Sequence, residues 1–467
     1  MILKLAVPAD YEFSRYAILG NAVAICTKVV SMKPSLRYLV FIFSIAATVQ
    51  ISLKTSAKET QSRENSKAKT NSIMWRYDGN GNFPNIIPPK QWSSNKTILW
   101  KSTVDAGGYS SPIVVKDKVF VTAEMGCLIC LDLTNGKTLW KKDLFSKESK
   151  DIPEDLSKRL MRGCGGDSKQ STPTPASNGE FVFYINAMGL CACYDLDGNQ
   201  KWIQIIETAK EEEHFSSSPI FIKDQIVLSW GCLLSLNAKD GSTLWKAVKA
   251  KPTHGTPTIT KIGGDEIIVT PGGDIVKLAD GEIICSGLFE SLYTTPLIHN
   301  NILYMIDSES KAFELPAKLT KNMKLKELWK TNLTGTVMAS PSYKDGLIYT
   351  TENQRCILYV IDSKTGKILT SSKTMDETTK KKKTDPGIKI DGLIPAKYVY
   401  ASPVLSEKYA YFFDDAGTTA VLELGPNYKP VGINKIDDAL VGTPFFINDK
   451  IIIRGSETIY CIGGKNQ

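Results

Sequence analysis

The chain is poor in the residues and motifs that most often announce chemistry. Three histidines occur in 467 residues, His214, His254 and His299. There is no Gly-x-Ser-x-Gly elbow, no phosphate-binding glycine loop and no His-Glu-x-x-His pair, so the usual signatures of serine hydrolases, P-loop enzymes and zincins are missing. No long amphipathic helical pattern runs through the repeat region described below, which argues against a helical core. The apolar run Tyr38 to Ile51 has 14 residues, short of the ~20 that span a bilayer. A net charge of +8 is mild for this length, and part of it sits in the N-terminal tail and at Lys380 to Lys383, so it is not a nucleic-acid footprint. With 42% hydrophobic and 23% charged residues the composition is that of an ordinary globular protein.

What is present is a repeat. The stretch Ser111 to Lys141 reads as four short apolar strands with turns at Lys116-Asp117, near Gly126 and at Asp132 to Gly136, ending in Thr138-Leu-Trp140. Such a sheet cannot bury both faces alone, so copies must stack beside it. Copies open with Ser-Pro or Thr-Pro at Pro112, Pro173, Pro219, Pro257, Pro296, Pro341, Pro403 and Pro444. A glycine turn recurs in YDLDGNQKW (from Tyr194), LNAKDGSTLW (from Leu236) and VIDSKTGKIL (from Val360), with a degenerate KLADGEII from Lys277. Glycine supplies the positive φ such a turn needs. An outer-strand tryptophan recurs at Trp140, Trp202, Trp245 and Trp329, where a flat ring would fill the wedge between blades.

The eighth copy, from Thr443-Pro444, has room for three strands before the chain stops. The matching fourth strand, Thr97-Ile-Leu-Trp100-Lys101, stands ahead of the first opener. The expected fold is therefore all-β, an eight-bladed β-propeller of four-stranded antiparallel blades over 74–467. It is closed by the N-terminal strand completing the last blade, because an open array leaves unpaired sheet edges.

Upstream, Lys33 and Arg37 precede the apolar run and Thr55-Ser-Ala57 follows it, the layout of a secretory signal. Residues 1–57 are expected to be the signal region, with Met32 a candidate start and an uncleaved anchor the alternative. Residues 58–73 are polar and read as a disordered linker. Of the ten cysteines, Cys130, Cys193 and Cys461 share the third-strand place, which wants a small buried side chain. Cys191 and Cys193, two apart on a strand, would have Cα atoms about 6.5 Å apart, near the upper limit for a disulfide.

His214 and His254 precede openers, on connections that gather near the central channel, but no carboxylates can be singled out to complete a metal site. Two longer insertions follow the Trp140 and Leu369 strands and should rise from one face. They supply the candidate interaction residues Arg159, Arg162, Lys381 and Lys382, beside His214 and His254, since binding residues concentrate on loops held by a rigid scaffold.

The repeats LDLTNGKTLW and YDLDGNQKW, with the block WRYDGNGNFPN…LWK…GGYSSPIVVKDKVFVT (Trp75 to Thr122), resemble the PQQ-like propeller repeat, as found in exported planctomycete-type proteins and more distantly in BamB-type assembly factors. The resemblance covers about 74–463. It implies either quinone-dependent dehydrogenases, which hold PQQ with calcium and often carry adjacent cysteines, or non-catalytic binding propellers. No Cys-Cys dipeptide occurs here, nor does a lipid-attachment cysteine follow the apolar run. The expectation is an exported, non-enzymatic, monomeric scaffold without cofactor. It would bind another envelope protein, in the periplasm or outside the cell, with no nucleic acid as partner and no stable membrane span after signal cleavage. A PQQ-dependent oxidoreductase and a polysaccharide-binding or -processing protein are the alternatives.

Overall fold

The computed structural model describes residues 17–19, 22–24, 73–92, 97–104, 107–124, 126–143, 172–186, 189–206, 216–375, 382–394, 398–425 and 428–463. The chain divides into two compact units, 1–69 and 70–467. The described part of the first is a short antiparallel hairpin, Ala17–Leu19 with Ala22–Ala24. The rest of the expected signal region, and the expected linker up to residue 72, lie outside the described residues.

The second unit contains eight four-stranded antiparallel sheets. Blades 1 to 7 occupy 113–143, 176–205, 220–247, 258–285, 297–332, 342–389 and 404–435. Blade 8 is built from 445–463 plus Ile98–Thr103, as the spare N-terminal strand predicts. Trp100 pairs with Cys461 and Lys101 with Tyr460. In blades 1 to 7 the chain passes from the inner strand to the outer one. The outer-to-inner connections and the turns between second and third strands therefore share one face, here the mouth face.

The openers form a belt around the axis. In seven of the eight blades the backbone N–H just before the opening proline donates to the hydroxyl of the equivalent residue in the next blade. The bonds run Ser111 to Thr174, Thr174 to Ser218, Ser218 to Thr256, Thr295 to Ser340, Ser340 to Ser402, Ser402 to Thr443 and Thr443 to Ser111, at 2.8–3.1 Å. The second-blade opener is thus Thr174-Pro175, not Pro173, because Thr174 is the residue whose hydroxyl receives the Ser111 bond. The belt breaks between blades 4 and 5, where the buried Thr295 hydroxyl has no hydrogen-bond partner among the described residues.

A second lock lies at the rim. Trp100, Trp140, Trp202, Trp245 and Trp329 each donate their indole N–H to a carbonyl in the glycine turn of the next blade, at 2.8–3.0 Å. Each ring lies flat over that turn's glycine: Gly136, Gly198, Gly241, Gly281 and Gly366, all at φ between 70° and 87°. Directly across the outer strand pair from Trp140, Trp202 and Trp100 stand Cys130, Cys193 and Cys461; Ser235 and Ala312 face Trp245 and Trp329. The expected small buried residue is there in every case. The Cys130, Cys193 and Cys461 thiols are free, and burial pushes each up to about 12. Cys191 is also a free thiol.

The WRYDGNGNF block does more than lead into a strand. Ile73 pairs antiparallel with Ser177 on the inner strand of blade 2, and Asn82 pairs in parallel with Leu405 on that of blade 7. Inner strands run away from the mouth, so the chain climbs toward it at Ile73 and descends at Asn82. At the turn, Arg76 and Tyr77 take left-handed φ values of 57° and 67°. Arg76 is 2% exposed and donates to the carbonyls of Asn80 and Pro341 and to the Ser342 hydroxyl. Phe83 then packs on Phe445 and Phe446, and Trp92 is fixed on Asn434, before the chain reaches blade 8's outer edge. This segment plugs the channel.

The insertion after Leu369 also differs from expectation. It forms a hairpin, Ser371–Met375 with Lys382–Pro386, set inside the outer strand of blade 6, which resumes at Ile388–Lys389. It stands on the perimeter rather than on a mouth-face connection. The insertion after Trp140 lies outside the described residues beyond Asp143.

Two stability predictions follow from the locks. Trp100→Ala should cost about 3 kcal/mol, and Gly136→Ala should also destabilise, since a Cβ there would enter the Trp100 ring. Thermal melting checks both, and an unchanged midpoint for either would contradict the rim lock. Thr443→Val, which strips a belt acceptor and strands the Ser402 N–H, should cost about 1–3 kcal/mol. Thr295→Val should be close to neutral, because its hydroxyl accepts no belt bond. Equal losses in the two variants would show that the belt bonds are energetically idle.

Candidate functional site: the channel mouth

The connections that deliver the belt also line the opening. In all eight, the residue two before the belt hydroxyl is half-buried, and four of these are aromatic: Tyr109, His254, Tyr293 and Tyr400. The His254 and Tyr293 rings stack at 5.4 Å between centroids, with 11° between planes. Ser216 Oγ lies 3.3 Å from His254 Nδ1. Tyr398 meets Tyr400 edge-on at 5.6 Å. Burial pushes the Tyr400 phenol up to about 12, and Asp415, Tyr398, Tyr109 and Tyr293 add to the shift. On the same connections Val248, Leu292 and Ile394 are 73%, 52% and 72% exposed.

The turns facing the mouth in blades 4 to 7 carry Asp274, Asp307, Glu352, Asp414 and Asp415, against one cation, Arg355. Most of these carboxylates are working structural groups. Asp274 accepts from the Lys251 N–H, Glu352 from the Arg355 N–H, and Asp415 from the Tyr398 N–H at 3.1 Å. Asp414, fully buried, accepts from the N–H groups of Ala416 and Thr418 in its own turn and of Ile394 in the neighbouring connection. Burial raises the pKa of Asp307 and Asp414. One blade on from blade 7, at the junction of blades 8 and 1, Arg454 is 1% exposed with Nη1 on Ser110 and Thr122. Burial lowers its pKa to about 10, opposed by Glu124 and Asp438.

Of the residues singled out from sequence, His254 sits at the mouth. Lys382 belongs to the perimeter hairpin, so the fold does not bring the two together. His214, Arg159, Arg162 and Lys381 lie outside the described residues. The mouth tyrosines were missed, although the signal is present: Tyr109, Tyr293 and Tyr400 each stand three before an opening proline, in YSSP, YTTP and YASP.

The ring, belt and tryptophan locks define an eight-bladed propeller of PQQ-like repeats. Residues 92–372 match the family described as outer membrane protein assembly factor BamB, and the chain belongs to that family. It is 26% identical over 405 residues to the outer membrane protein assembly factor BamB of Moranella endobia (strain PCIT), covering 79% of this chain and 88% of that protein. Among solved structures, BamB from Moraxella catarrhalis superposes with a TM-score of 0.53 at 13% identity, covering 79% of this chain and 99% of that one. A europium-containing methanol dehydrogenase gives 0.54 at 11% identity, covering 84% and 91%. These two structural likenesses bear on the fold alone.

The Asp414 tie makes the mouth pH-sensitive. Its folded carboxyl holds a proton to higher pH than the unfolded one. That contribution to stability is full below the unfolded value and is lost as pH rises through the folded value. Relative to Asp414→Asn, the wild type should gain in urea midpoint as pH falls through the acid range. A difference that stays constant with pH would show that Asp414 does not titrate as described.

Proposed function

We propose that this protein is an exported, non-catalytic propeller that serves as a protein-binding scaffold in the cell envelope, docking its partner on the mouth face. The observation that carries this reading is the arc of half-buried tyrosines beside strongly exposed Leu292, Ile394 and Val248. Tyrosine-rich apolar centres with polar surroundings are what protein interfaces use as anchors. The ring holds them rigidly, so little ordering entropy is lost on docking. Membership of a family named for outer membrane protein assembly supports an envelope protein as the partner.

A calcium-held quinone suits these residues poorly. Glu352 and Asp414, the buried carboxylates at the mouth, are committed to backbone N–H groups. The described residues offer no cluster of three or more His, Cys, Asp or Glu arranged for a metal. Among the described residues, no helix is long and apolar enough to cross a membrane.

The test is photocrosslinking in the native envelope from Ile394 on the mouth face and from Leu139 on the rim, identifying the captured chain. The expected result is one envelope protein captured from Ile394 and not from Leu139, with capture lost in Leu292→Asp. Capture from the rim alone, or a reducible quinone bound by the purified protein with added PQQ and calcium, would overturn the reading.

A further inference from the structure

We infer that the missing eighth belt bond is a two-position contact tied to docking. In the free protein the seam between blades 4 and 5 holds the Gly255 N–H on the Leu292 carbonyl. When a partner takes Leu292, the contact passes to Thr256 and Thr295 and the belt closes. This rests on the reading of the mouth face as a protein-docking surface and states how the ring answers a partner there.

Three observations carry it. First, the seam buries both halves of an unmade bond. Thr256 and Thr295 stand at the belt place and are 7% and 3% exposed. Among the described residues the Thr295 hydroxyl has no hydrogen-bond partner and the Thr256 N–H has no acceptor. The belt still reaches the seam from both sides, because the Thr256 hydroxyl accepts from Ser218 and the Thr295 N–H donates to Ser340. A buried donor and acceptor left apart cost more than an ordinary bond contributes, so the pair favours closing. Second, a substitute bond sits one residue upstream. The Gly255 N–H donates at 2.9 Å to the Leu292 carbonyl, on the connection into blade 5. At the seven seams with a belt bond, the residue before the donor makes no such forward bond among the described residues. Each seam therefore uses one bond or the other. Third, the substitute is built in. A Cβ at Gly255 would lie 2.9 Å from the carbonyl oxygens of Tyr293 and Thr294, so glycine is what lets the two connections meet backbone to backbone. The His254 ring stacks on Tyr293 beside it.

A ligand shifts an equilibrium only by favouring one position over the other. Leu292, whose carbonyl holds the substitute bond, is 52% exposed. A partner packed on that side chain draws the connection away from Gly255, whose N–H is left to water at the mouth, and the Thr256 N–H moves onto the Thr295 hydroxyl. One step deeper, the Thr258 hydroxyl donates to the Pro296 carbonyl, which keeps the inner strands of blades 4 and 5 joined and confines the change to the belt.

Hydrogen exchange of the full chain, read amide by amide, tests the free position. The Gly255 amide should be protected, and Thr256 should exchange about tenfold faster than Thr443, whose amide holds a belt bond. A Thr256 amide as slow as that of Thr443 would overturn the switch. Photocrosslinking from Ile394 in the native envelope tests the docked position. Thr295→Val removes the hydroxyl and keeps the N–H bond to Ser340, so the free protein should melt like wild type. Its capture of the envelope protein should fall about fivefold, the equilibrium effect of one ordinary hydrogen bond. Thr295→Ser, which keeps a hydroxyl, should capture like wild type. Capture by Thr295→Val equal to wild type, or equal losses in the two variants, would overturn the switch and leave the scaffold reading standing. If wild type captures nothing from Ile394, both fall.

Discussion

The structure depends on one repeated backbone contact, the N–H before each opening proline reaching the hydroxyl of the next blade. Proline restricts the residue before it to extended geometry and cannot itself donate a hydrogen bond. The N–H at that place lies outside the blade's own ladder, and buried among neighbouring inner strands it needs an acceptor. The only short side chains that offer an acceptor there without filling the axis are Ser and Thr. Except at the seam between blades 4 and 5, each belt residue gives its N–H forward and its hydroxyl backward, so the same demand falls on the other copies. This is why the opener recurs faithfully while the strands between openers diverge. The cycle closes through Thr443 and Ser111, which joins the last blade to the first independently of the strand exchange at Trp100.

The belt fails at one seam, between blades 4 and 5, and the tryptophan lock is missing there too, as it is after blades 6 and 7. Cys285 occupies the place where blades 1, 2, 3, 5 and 8 carry the outer tryptophan: it faces Ile275 in the register that pairs Trp140 with Cys130. Blade 5 replaces the glycine turn with a longer loop between Glu314 and Lys326. That loop fills the wedge by another route, with Leu315, Leu319, Met323 and Leu325 packing on Ile284, Cys285 and Phe289. The Asn322 N–H closes on the Ile284 carbonyl. Apolar filling has no direction, so it can close the gap without aligning the belt, and the Thr295 hydroxyl is the group left without a hydrogen-bond partner.

What was legible in the sequence was whatever repeats. Opener, glycine turn and tryptophan recur in fixed order, so blade number, strand count and the exchange of Trp100 into blade 8 could be read before any coordinates. The errors fall where the pattern offers two equal choices or none. Thr172-Pro173 and Thr174-Pro175 stand two residues apart, and only the hydroxyl's position in space selects the second. The hairpin within blade 6's outer strand looks, in one dimension, like a loop after that strand. The plug was unreadable because Arg76 meets Pro341 and Ser342, 265 and 266 residues away. The mouth tyrosines were present in YSSP, YTTP and YASP, but their convergence needs the ring to bring blades 1, 5 and 7 around one axis.

A propeller is nearly symmetric, so its function has to come from what breaks the symmetry. The plug distinguishes the two ends of the channel. Its entry at blade 2 and exit at blade 7 use backbone pairing, which any sequence could supply, whereas its turn needs a buried arginine solvated by carbonyls and a hydroxyl. Burial lowers the Arg76 pKa to about 9, with Asp78 opposing, so holding this charge on the axis has a real cost. Its hydrogen bonds to the Asn80 and Pro341 carbonyls and the Ser342 hydroxyl offset part of that cost. The mouth aromatics stand on the connections into blades 1, 4, 5 and 7, and the junction of blades 8 and 1 carries Arg454 with Glu124 and Asp438 nearby, so the mouth is uneven around the ring. An interface that must orient its partner on an eightfold ring needs such a polarity, because a uniform mouth would accept the same partner in eight registers.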